Sequence, residues 1–324
     1  MLYTVVNHEH GTVDEAGLEL LSAAQRIAAA LGVSHEAIVI GPDAQDAVGQ
    51  FGAYGVDRAH VVDHPQLQSY APDAYADAIS QLIAAHEPVG VLASGTEKGN
   101  EVLAHVAART DLPMAANCTE VTPGDHWTLT RMRWGGSLLE EAQLNAPTKL
   151  ATLAPHAFEP AQVAEPTDVD VVAFAPQMAD DAAAYPRVVD HEPSGSGVSL
   201  ASAQVVVSGG RGVGSADGFD MLEQLAGLLG GAVGCSRVAT NNGWRSHSDQ
   251  VGQTGTKIAP QLYIACGISG ATQHWVGCKD AKNILAINTD AEAPLVTRGN
   301  YAVIGNLHEI LPAIVDEVRR RKGA

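Results

Sequence analysis

Four turns that each follow a short apolar run contain the most promising chemical groups of this sequence. The first turn has the sequence SGGRGVG and spans residues 208–214, after the apolar residues 204–207. Its backbone N–H groups and the start of the following helix could face an anion, and Arg211 could bind a phosphate through two hydrogen bonds. The glycine spacing differs from the strict G-x-G-x-x-G fingerprint, so this turn alone indicates nucleotide binding only weakly.

The second turn opens a long polar segment over residues 234–260, which contains GCSRV at 234–238 and QVGQTGTK at 250–257. A polar loop of this length between packed strands is unusual unless it binds something. Arg237 is expected at the end of a strand, on the carboxyl edge where open parallel sheets bind ligands. From its position alone, a solvated surface arginine is an equal alternative for Arg237.

The third turn is GISGATQH at 267–274, which follows an apolar run and leads into a helix. Its amides and the helix dipole favour an anion, and His274 falls in the first turn of the helix. A single histidine is usually structural, but its place after another glycine-rich turn of the same predicted sheet favours a functional role. The fourth turn, INTD at 287–290, offers Asn288, whose amide can donate to and accept from a ring edge or a ribose.

Together these turns indicate a nucleotide or dinucleotide site. Parallel strands bring the turns at their carboxyl ends to one edge of a sheet, where such cofactors bind. The turns contain no acid–base pair, no Ser/His/Asp order and no metal-binding cluster, so hydrolytic chemistry is not indicated. The residues alone leave open which nucleotide binds.

Two blocks of alternating strands and helices must position these turns. In the first block, apolar runs predict strands over residues 2–6, 37–40, 59–62 and 89–93. Helical periodicity covers residues 13–31, 44–51, 74–86 and 97–109. Repeated strand–helix–strand units predict a parallel sheet with helices on both faces. Strands are also predicted over 127–134, 138–144 and 149–153, so this block is expected to end in antiparallel strands.

The second block begins after a segment rich in Pro, Asp, Glu and Ser. Its strands are predicted at residues 204–207, 262–266, 284–287 and 302–304, and its last helix at 307–320. The fold class is therefore α/β with two domains. An N-terminal parallel-sheet domain with antiparallel strands spans 1–154 and is assigned to partner contact. A strand-containing linker spans 155–200, and a C-terminal doubly wound cofactor-binding domain spans 201–324.

Composition argues against several classes of function. The 324 residues carry a net charge of −18, from 37 acidic and 19 basic side chains, a field that repels phosphate backbones and anionic lipids. Neither nucleic-acid binding nor membrane insertion is therefore expected, and no apolar run reaches membrane-spanning length. The 4 cysteines have neither CxxC nor zinc spacing, which indicates reduced, buried thiols and no metal site. With a strand-like start and no leader segment, the sequence predicts a soluble cytoplasmic protein.

The motifs of the second block resemble, in order and spacing, those of the alpha subunit of electron-transfer flavoprotein. The matching segments are VSGGRG at 207–212, GCSR at 234–237, QVGQTG at 250–255, LYIACGISGATQH at 262–274 and AIN at 286–288. The first block matches more loosely, through RMRWGG at 131–136, where the family usually has Pro at the second position. The resemblance covers the whole predicted C-terminal domain.

The resemblance implies a heterodimer with a beta subunit and one FAD, held mainly by the C-terminal domain of this chain. The beta subunit would carry AMP or a second FAD. Arg211 and Ser236 would lie near the diphosphate, Arg237 against the isoalloxazine, Thr254 near N5 and His274 near O2. The other implied FAD contacts are Val251, Gly252, Gln253, Ser269, Gly270, Ala271, Thr272, Gln273, Asn288, Asn306 and Leu307. Thr289 and Asn306 stand where many members have Lys and Asp, and both departures put contacts to the AMP half of the cofactor in doubt.

The resemblance further implies an electron carrier rather than an enzyme that transforms a substrate. It would take electrons from flavoprotein dehydrogenases, such as the acyl-CoA dehydrogenases of beta-oxidation, and deliver them to a quinone oxidoreductase. Arg237, with Thr254 and His274, would tune the flavin, because a fixed cation favours negative charge on the ring. Three alternatives stay open: an electron-bifurcating complex that oxidises NADH, with a second FAD in the beta subunit; a nicotinamide-dependent oxidoreductase; and a nucleotide-sensing module without redox chemistry.

Salt dependence tests a hypothesis about habitat. The chain contains only 6 lysines, and an acidic, lysine-poor surface is typical of proteins that stay soluble at high salt; an ordinary acidic cytoplasmic protein is the alternative. If the sequence is adapted to salt, the Tm rises as KCl is increased to molar concentrations, because counter-ions screen the repulsion between carboxylates. A melting series in KCl measures this, and a Tm that falls as salt rises contradicts the hypothesis.

Overall fold

A computed structural model describes residues 1–178 and 199–323 of the protein. The chain divides into two compact units, Met1–His191 and Glu192–Ala324. The strands are β1 (Leu2–Val6), β2 (His8–Glu9), β3 (Thr12–Val13), β4 (His35–Ile40), β5 (Arg58–Val62), β6 (Gly90–Ser94), β7 (Met114–Thr122), β8 (Trp127–Arg133), β9 (Leu138–Leu144), β10 (Lys149–Leu153), β11 (Asp170–Phe174), β12 (Val205–Gly209), β13 (Ala232–Cys235), β14 (Leu262–Cys266), β15 (Ile284–Asn288) and β16 (Tyr301–Ile304). The α-helices are α1 (Glu15–Leu31), α2 (Ala44–Val48), α3 (Pro72–His86), α4 (Glu97–Thr110), α5 (Asp220–Leu229), α6 (Arg237–Asn241), α7 (Thr272–Cys278), α8 (Pro294–Arg298) and α9 (Leu307–Lys322).

Helix α1 shows how local sequence sets the ends of an element. The Asp14 side chain caps the first turn by accepting from the Gly17 N–H at 2.8 Å, and Gly32 ends the helix in the left-handed conformation with φ of 65°. Between these ends, Leu20 and Ile27 face the sheet. The helix begins at Glu15, two residues after the predicted start, because Asp14 serves as the cap.

A nine-stranded sheet organises the first unit, in the order β11-β5-β4-β1-β6-β10-β7-β8-β9. The strands from β11 to β7 are parallel, and β7, β8 and β9 are antiparallel. Successive side chains of β1 point to opposite faces: Tyr3 and Val5 pack with α3 and α4, whereas Leu2 packs with α1. Helices on both faces of a largely parallel sheet, with antiparallel strands at one edge, confirm the predicted fold class of this unit.

Strand β10 departs from the sequence-based expectation. The sequence predicts it as part of the antiparallel group, but β10 lies between β6 and β7 and runs parallel to both. All five of its residues are buried, as suits a strand covered on both faces. The periodicity also overextends β8, because Trp134 belongs to the turn Trp134–Gly136 and has φ of 53°.

The segment predicted as a linker contributes structure to the first unit. Its strand β11 extends the sheet beside β5, and the Thr167 N–H donates to the Gly52 carbonyl at 3.0 Å. Residues 179–198 of the predicted linker lie outside the described residues. The proposed domain limits at 154 and 200 therefore stay predictions.

Five parallel strands form the sheet of the second unit, in the order β13-β12-β14-β15-β16. The winding reverses between β12 and β14, so the sheet is doubly wound, as predicted. Helices α5 and α9 pack on one face through Leu222 and Leu311, and α7 and α8 pack on the other through Cys278 and Leu295. The carboxyl ends of β12 and β14 border the switch point, where sheets of this type bind ligands.

The four cysteines are buried, free thiols, as the sequence predicts. Burial raises the pKa of each to about 12, so all four are protonated and poorly reactive at neutral pH. In the described ranges, none of the helices combines the length and the apolar character needed to cross a membrane.

Candidate functional site

A cavity of about 670 Å³ opens at the carboxyl edge of the sheet in the second unit. The turns after β12, β13, β14 and β15 and the start of α9 all contribute to its lining, and its volume lies in the range of small-molecule and cofactor sites. Apart from Thr272, every residue implied as an FAD contact lines it: Arg211, Ser236, Arg237, Val251, Gly252, Gln253, Thr254, Ser269, Gly270, Ala271, Gln273, His274, Asn288, Asn306 and Leu307. Thr272, the first residue of α7, is exposed and does not belong to the lining.

The first and third turns meet through their backbones. A Cβ atom on Gly212 would lie 2.8 Å from the Gly267 Cα, and one on Gly267 would lie 2.7 Å from the Gly212 Cα. Gly267 also has φ of 62°, and the Gly212 N–H donates to its carbonyl at 3.1 Å. A side chain at either position would separate the turns, so glycine is what allows two anion-facing turns to share one cavity.

Two arginines reach the cavity from neighbouring strand ends. Arg211 begins a short 3-10 turn after β12, and Arg237 is the first residue of α6, after β13. In the part of the chain that the structure describes, neither guanidinium makes an ion pair. Two free cations in a protein of net charge −18 concentrate positive potential at this edge, which favours an anionic ligand.

Two buried polar atoms at the cavity have no hydrogen-bond partner among the described residues. They are the Ser236 Oγ and the His274 Nδ1. The Ser236 N–H donates to the Gly209 carbonyl at 2.9 Å, which fixes this residue beside the first turn. Buried polar atoms are nearly always hydrogen-bonded, so a bound ligand would account for both.

The Thr254 hydroxyl is hydrogen-bonded to Gln250, a buried residue that is absent from the implied contacts. Gln250 is 1% exposed, and its amide lies 2.9 Å from the Thr254 Oγ1 and 3.1 Å from the Thr240 Oγ1. The backbone carbonyl of Gln250 also accepts from the Thr256 N–H at 2.7 Å. Gln250 therefore fixes both the hydroxyl of Thr254 and the path of the loop that carries it.

His274 is buried in the first turn of α7. Its Nε2 lies 2.7 Å from the Tyr263 hydroxyl. Burial lowers the pKa of His274 to about 4, with the Val251 backbone opposing this in part, so the imidazole is neutral at neutral pH. Of its two ring nitrogens, only Nδ1 is left for the contact that the resemblance implies.

Two asparagines among the implied FAD contacts already form hydrogen bonds within the protein. The Asn288 Nδ2 donates to the Ile268 carbonyl at 3.1 Å, and its Oδ1 accepts from the Asp290 N–H at 3.1 Å. Asn306 caps α9 by accepting from the His308 N–H at 3.1 Å. Both residues line the cavity and shape it at the same time.

Several further lining residues were not among the implied contacts. They are Gly212, Val238, Gln250, Gly267, Ile268, Thr289, Asp290 and Gly305. Most stand inside or beside the quoted motifs, and the glycines contribute backbone rather than a side chain. The sequence motifs therefore indicate which segments of the chain line the cavity, but they do not show which backbone atoms of those segments face it.

Comparisons with known proteins give consistent results along the chain. A family model described as "Electron transfer flavoprotein domain" matches residues 3–179, and one described as "Electron transfer flavoprotein FAD-binding domain" matches residues 199–279. The chain is 36% identical to the electron transfer flavoprotein subunit alpha of Mycobacterium leprae, with 98% of each chain covered. It is 32% identical to the subunit alpha of Thermoanaerobacterium thermosaccharolyticum, with 99% of this chain and 98% of that one covered. It is 34% identical to Protein FixB of Azorhizobium caulinodans, with 99% and 89% covered.

The groups at the cavity fit FAD. Glycine-rich turns and the free guanidinium of Arg211 suit a diphosphate, and the free guanidinium of Arg237 suits a ring that gains negative charge. The orphaned Ser236 Oγ and His274 Nδ1 can bond polar atoms of the cofactor, and buried Val251 and Ile268 supply apolar surface for a flat ring.

Gly277→Ala tests whether the loop over residues 250–254 must lie where it does. A Cβ on Gly277 would lie 2.3 Å from the Gly252 N and 2.4 Å from the Gly252 Cα, so the loop must move away from α7. We expect the affinity for FAD, measured by titration of flavin fluorescence, to fall at least tenfold, or about 1.4 kcal/mol.

Gly227→Ala is the matched control. Gly227 lies within α5, and nothing lies within 4 Å of its added Cβ, so its affinity for FAD should equal that of the unsubstituted protein. Equal affinities in both variants would show that the loop position does not matter for binding.

Proposed function

Because the chain belongs to the electron transfer flavoprotein alpha-subunit family, we propose that it binds one FAD in the cavity of its second unit and carries electrons between partner proteins. The observation that carries this proposal is the convergence of two free arginines and two glycine-rich turns on one cavity. That donor set suits a ligand with a diphosphate at one part and a ring that gains negative charge at another.

The proposed contacts are those that the family resemblance implies, and the cavity lining supports them because all of these side chains belong to it. Arg211 and Ser236, on the turns after β12 and β13, bind the diphosphate. Arg237 lies against the isoalloxazine, Thr254 near N5 and His274 near O2. The other lining residues of the third turn bind by backbone N–H groups, and Asn288, Asn306 and Leu307 complete the adenosine end.

Bound FAD supplies one-electron and two-electron transfer. The chain itself supplies fixed charge and fixed donors. Arg237 is a permanent cation, so it favours every state of the ring that carries more negative charge. Gln250 holds the Thr254 hydroxyl in place, and Val251, which is nearly fully buried, helps to keep water from the ring.

The partners proposed for the chain rest on family membership over almost its full length. We infer a heterodimer with an electron-transfer flavoprotein beta subunit, which holds AMP or a second FAD. Flavoprotein dehydrogenases, including acyl-CoA dehydrogenases, donate electrons, and a quinone oxidoreductase accepts them. The exchange takes place in the cytoplasm.

The first unit is proposed as a surface for partner contact. The β8–β9 turn and the start of β9 expose three large apolar side chains: Trp134 is 79% exposed, Leu139 70% and Leu138 55%. A cluster of exposed apolar side chains on a folded domain is typical of an interaction surface. This supports the assignment of the first unit to association rather than to cofactor binding.

Arg237→Ala tests the proposed function. Removing the cation should lower the affinity for the reduced flavin relative to the oxidised flavin about tenfold, which lowers the one-electron midpoint potential by about 59 mV. Spectroelectrochemical titration of the heterodimer measures the potential. Arg237→Lys keeps the charge and should recover part of the loss.

Arg211→Ala is the control for this test, since it removes a second free cation of the same cavity. At the diphosphate end it should weaken FAD binding and leave the potential nearly unchanged. An unchanged potential in Arg237→Ala, or an equal shift in both variants, would contradict the assigned positions.

A further inference from the structure

Tyr263 stands directly behind His274. It lies on β14, is 0% exposed, and is not part of the cavity lining. Its hydroxyl is 2.7 Å from the His274 Nε2, and the two rings are stacked with an interplanar angle of 29°. The contact with His274 is therefore a direct route by which the Tyr263 hydroxyl can act on a ligand in the cavity.

The bond between these residues joins two neutral groups. Burial raises the pKa of Tyr263 well above its ordinary value and lowers that of His274 to about 4. A single proton is thus shared between the phenol oxygen and Nε2, and its position decides which imidazole nitrogen carries the other proton.

The surroundings of Tyr263 indicate where that proton lies. Ser208 lies on the neighbouring strand β12, on the same face of the sheet as Tyr263, and its buried hydroxyl has no partner in ordinary hydrogen-bond geometry among the described residues. This hydroxyl is therefore available as a donor toward the phenol oxygen, in keeping with the lower phenol pKa that it favours. A phenol oxygen that faces a donor on one side directs its own proton to the other side, where the His274 Nε2 accepts it.

We propose that Tyr263 is a positioning residue whose hydroxyl donates to the His274 Nε2 and so holds the imidazole in the Nδ1–H tautomer, with that N–H reserved for the ligand in the cavity. The Nδ1 atom is buried and has no partner in ordinary hydrogen-bond geometry among the described residues, as expected for a donor whose acceptor is the ligand. The identity of that ligand as FAD rests on the proposed function, whereas the tautomer does not.

A double-mutant cycle on the FAD-loaded heterodimer tests the link to the ligand. Tyr263→Phe keeps the ring and removes only the hydroxyl. We expect the affinity for reduced relative to oxidised flavin to fall at least threefold, which is about 28 mV in a one-electron potential. In a His274→Asn background the same substitution should leave the potential unchanged.

The control is Tyr301→Phe, the same chemical change at a side chain of the same unit that is 62% exposed. It should alter the potential in neither background. If Tyr263→Phe has no effect on the potential, or has the same effect with and without His274, the proposed role is overturned.

A second measurement reads the tautomer without flavin. Nitrogen-15 NMR of histidine-labelled heterodimer, stripped of FAD, identifies the His274 signals by their loss in His274→Asn. The proposal requires a protonated Nδ1 and an unprotonated Nε2, and a changed tautomer ratio in Tyr263→Phe. A protonated Nε2 in the unsubstituted protein, or identical spectra in both, overturns the proposal. Failure of the heterodimer to bind FAD would instead overturn the proposed function, and the His274 tautomer measured without flavin would remain valid.

Discussion

The backbone contact between Gly212 and Gly267 is the constraint on which the site depends. Parallel strands already bring the turns after β12 and β14 to one edge, but only the absence of a side chain on both sides lets them close to 3.1 Å between amide and carbonyl. Much of the lining is positioned by the two turns that meet in this contact. Arg211 is placed by the first turn, His274 by the helix that follows the third turn, and Asn288 by its hydrogen bond to the carbonyl of Ile268.

Behind the lining stands a second layer of buried polar residues. Gln250 bonds Thr254, and Tyr263 bonds His274, each at or below 2.9 Å. Buried groups of this kind are costly unless their bonds are made, so the layer restricts Thr254 and His274 to one arrangement. The arginines differ, because they are exposed and carry no ion pair in the described part of the chain. The site thus combines two kinds of group. Thr254 and His274 are neutral and held in fixed positions, whereas the positive charges of Arg211 and Arg237 are available to an anionic ligand.

The sequence alone was enough to predict most of the elements of the fold and the location of the site. Strand periodicity and glycine-rich turns identified the strands that carry the cavity. The motif resemblance named most of its lining, but it also named Thr272, which does not line the cavity, and it missed neighbours such as Gln250. What escaped prediction depends on long-range contacts. The five-residue apolar run of β10 does not show that this strand pairs in parallel with β6 and β7, since such a run fits either direction of pairing. The roles of Gln250 and Tyr263 also escaped, because a glutamine or a tyrosine gives no local signal that it will be buried against a neighbouring side chain.

The central claim is that the cavity of the second unit holds one FAD. The most direct test is the flavin content of the heterodimer purified after co-expression with the beta subunit, from its visible spectrum and from the nucleotides released on denaturation. We predict one tightly held FAD that belongs to this chain and whose affinity falls at least tenfold in Gly277→Ala. A second FAD whose affinity does not change in the variant would mark a second flavin site in the beta subunit. A colourless heterodimer, or one whose only FAD has the same affinity in Gly277→Ala, would contradict the central claim.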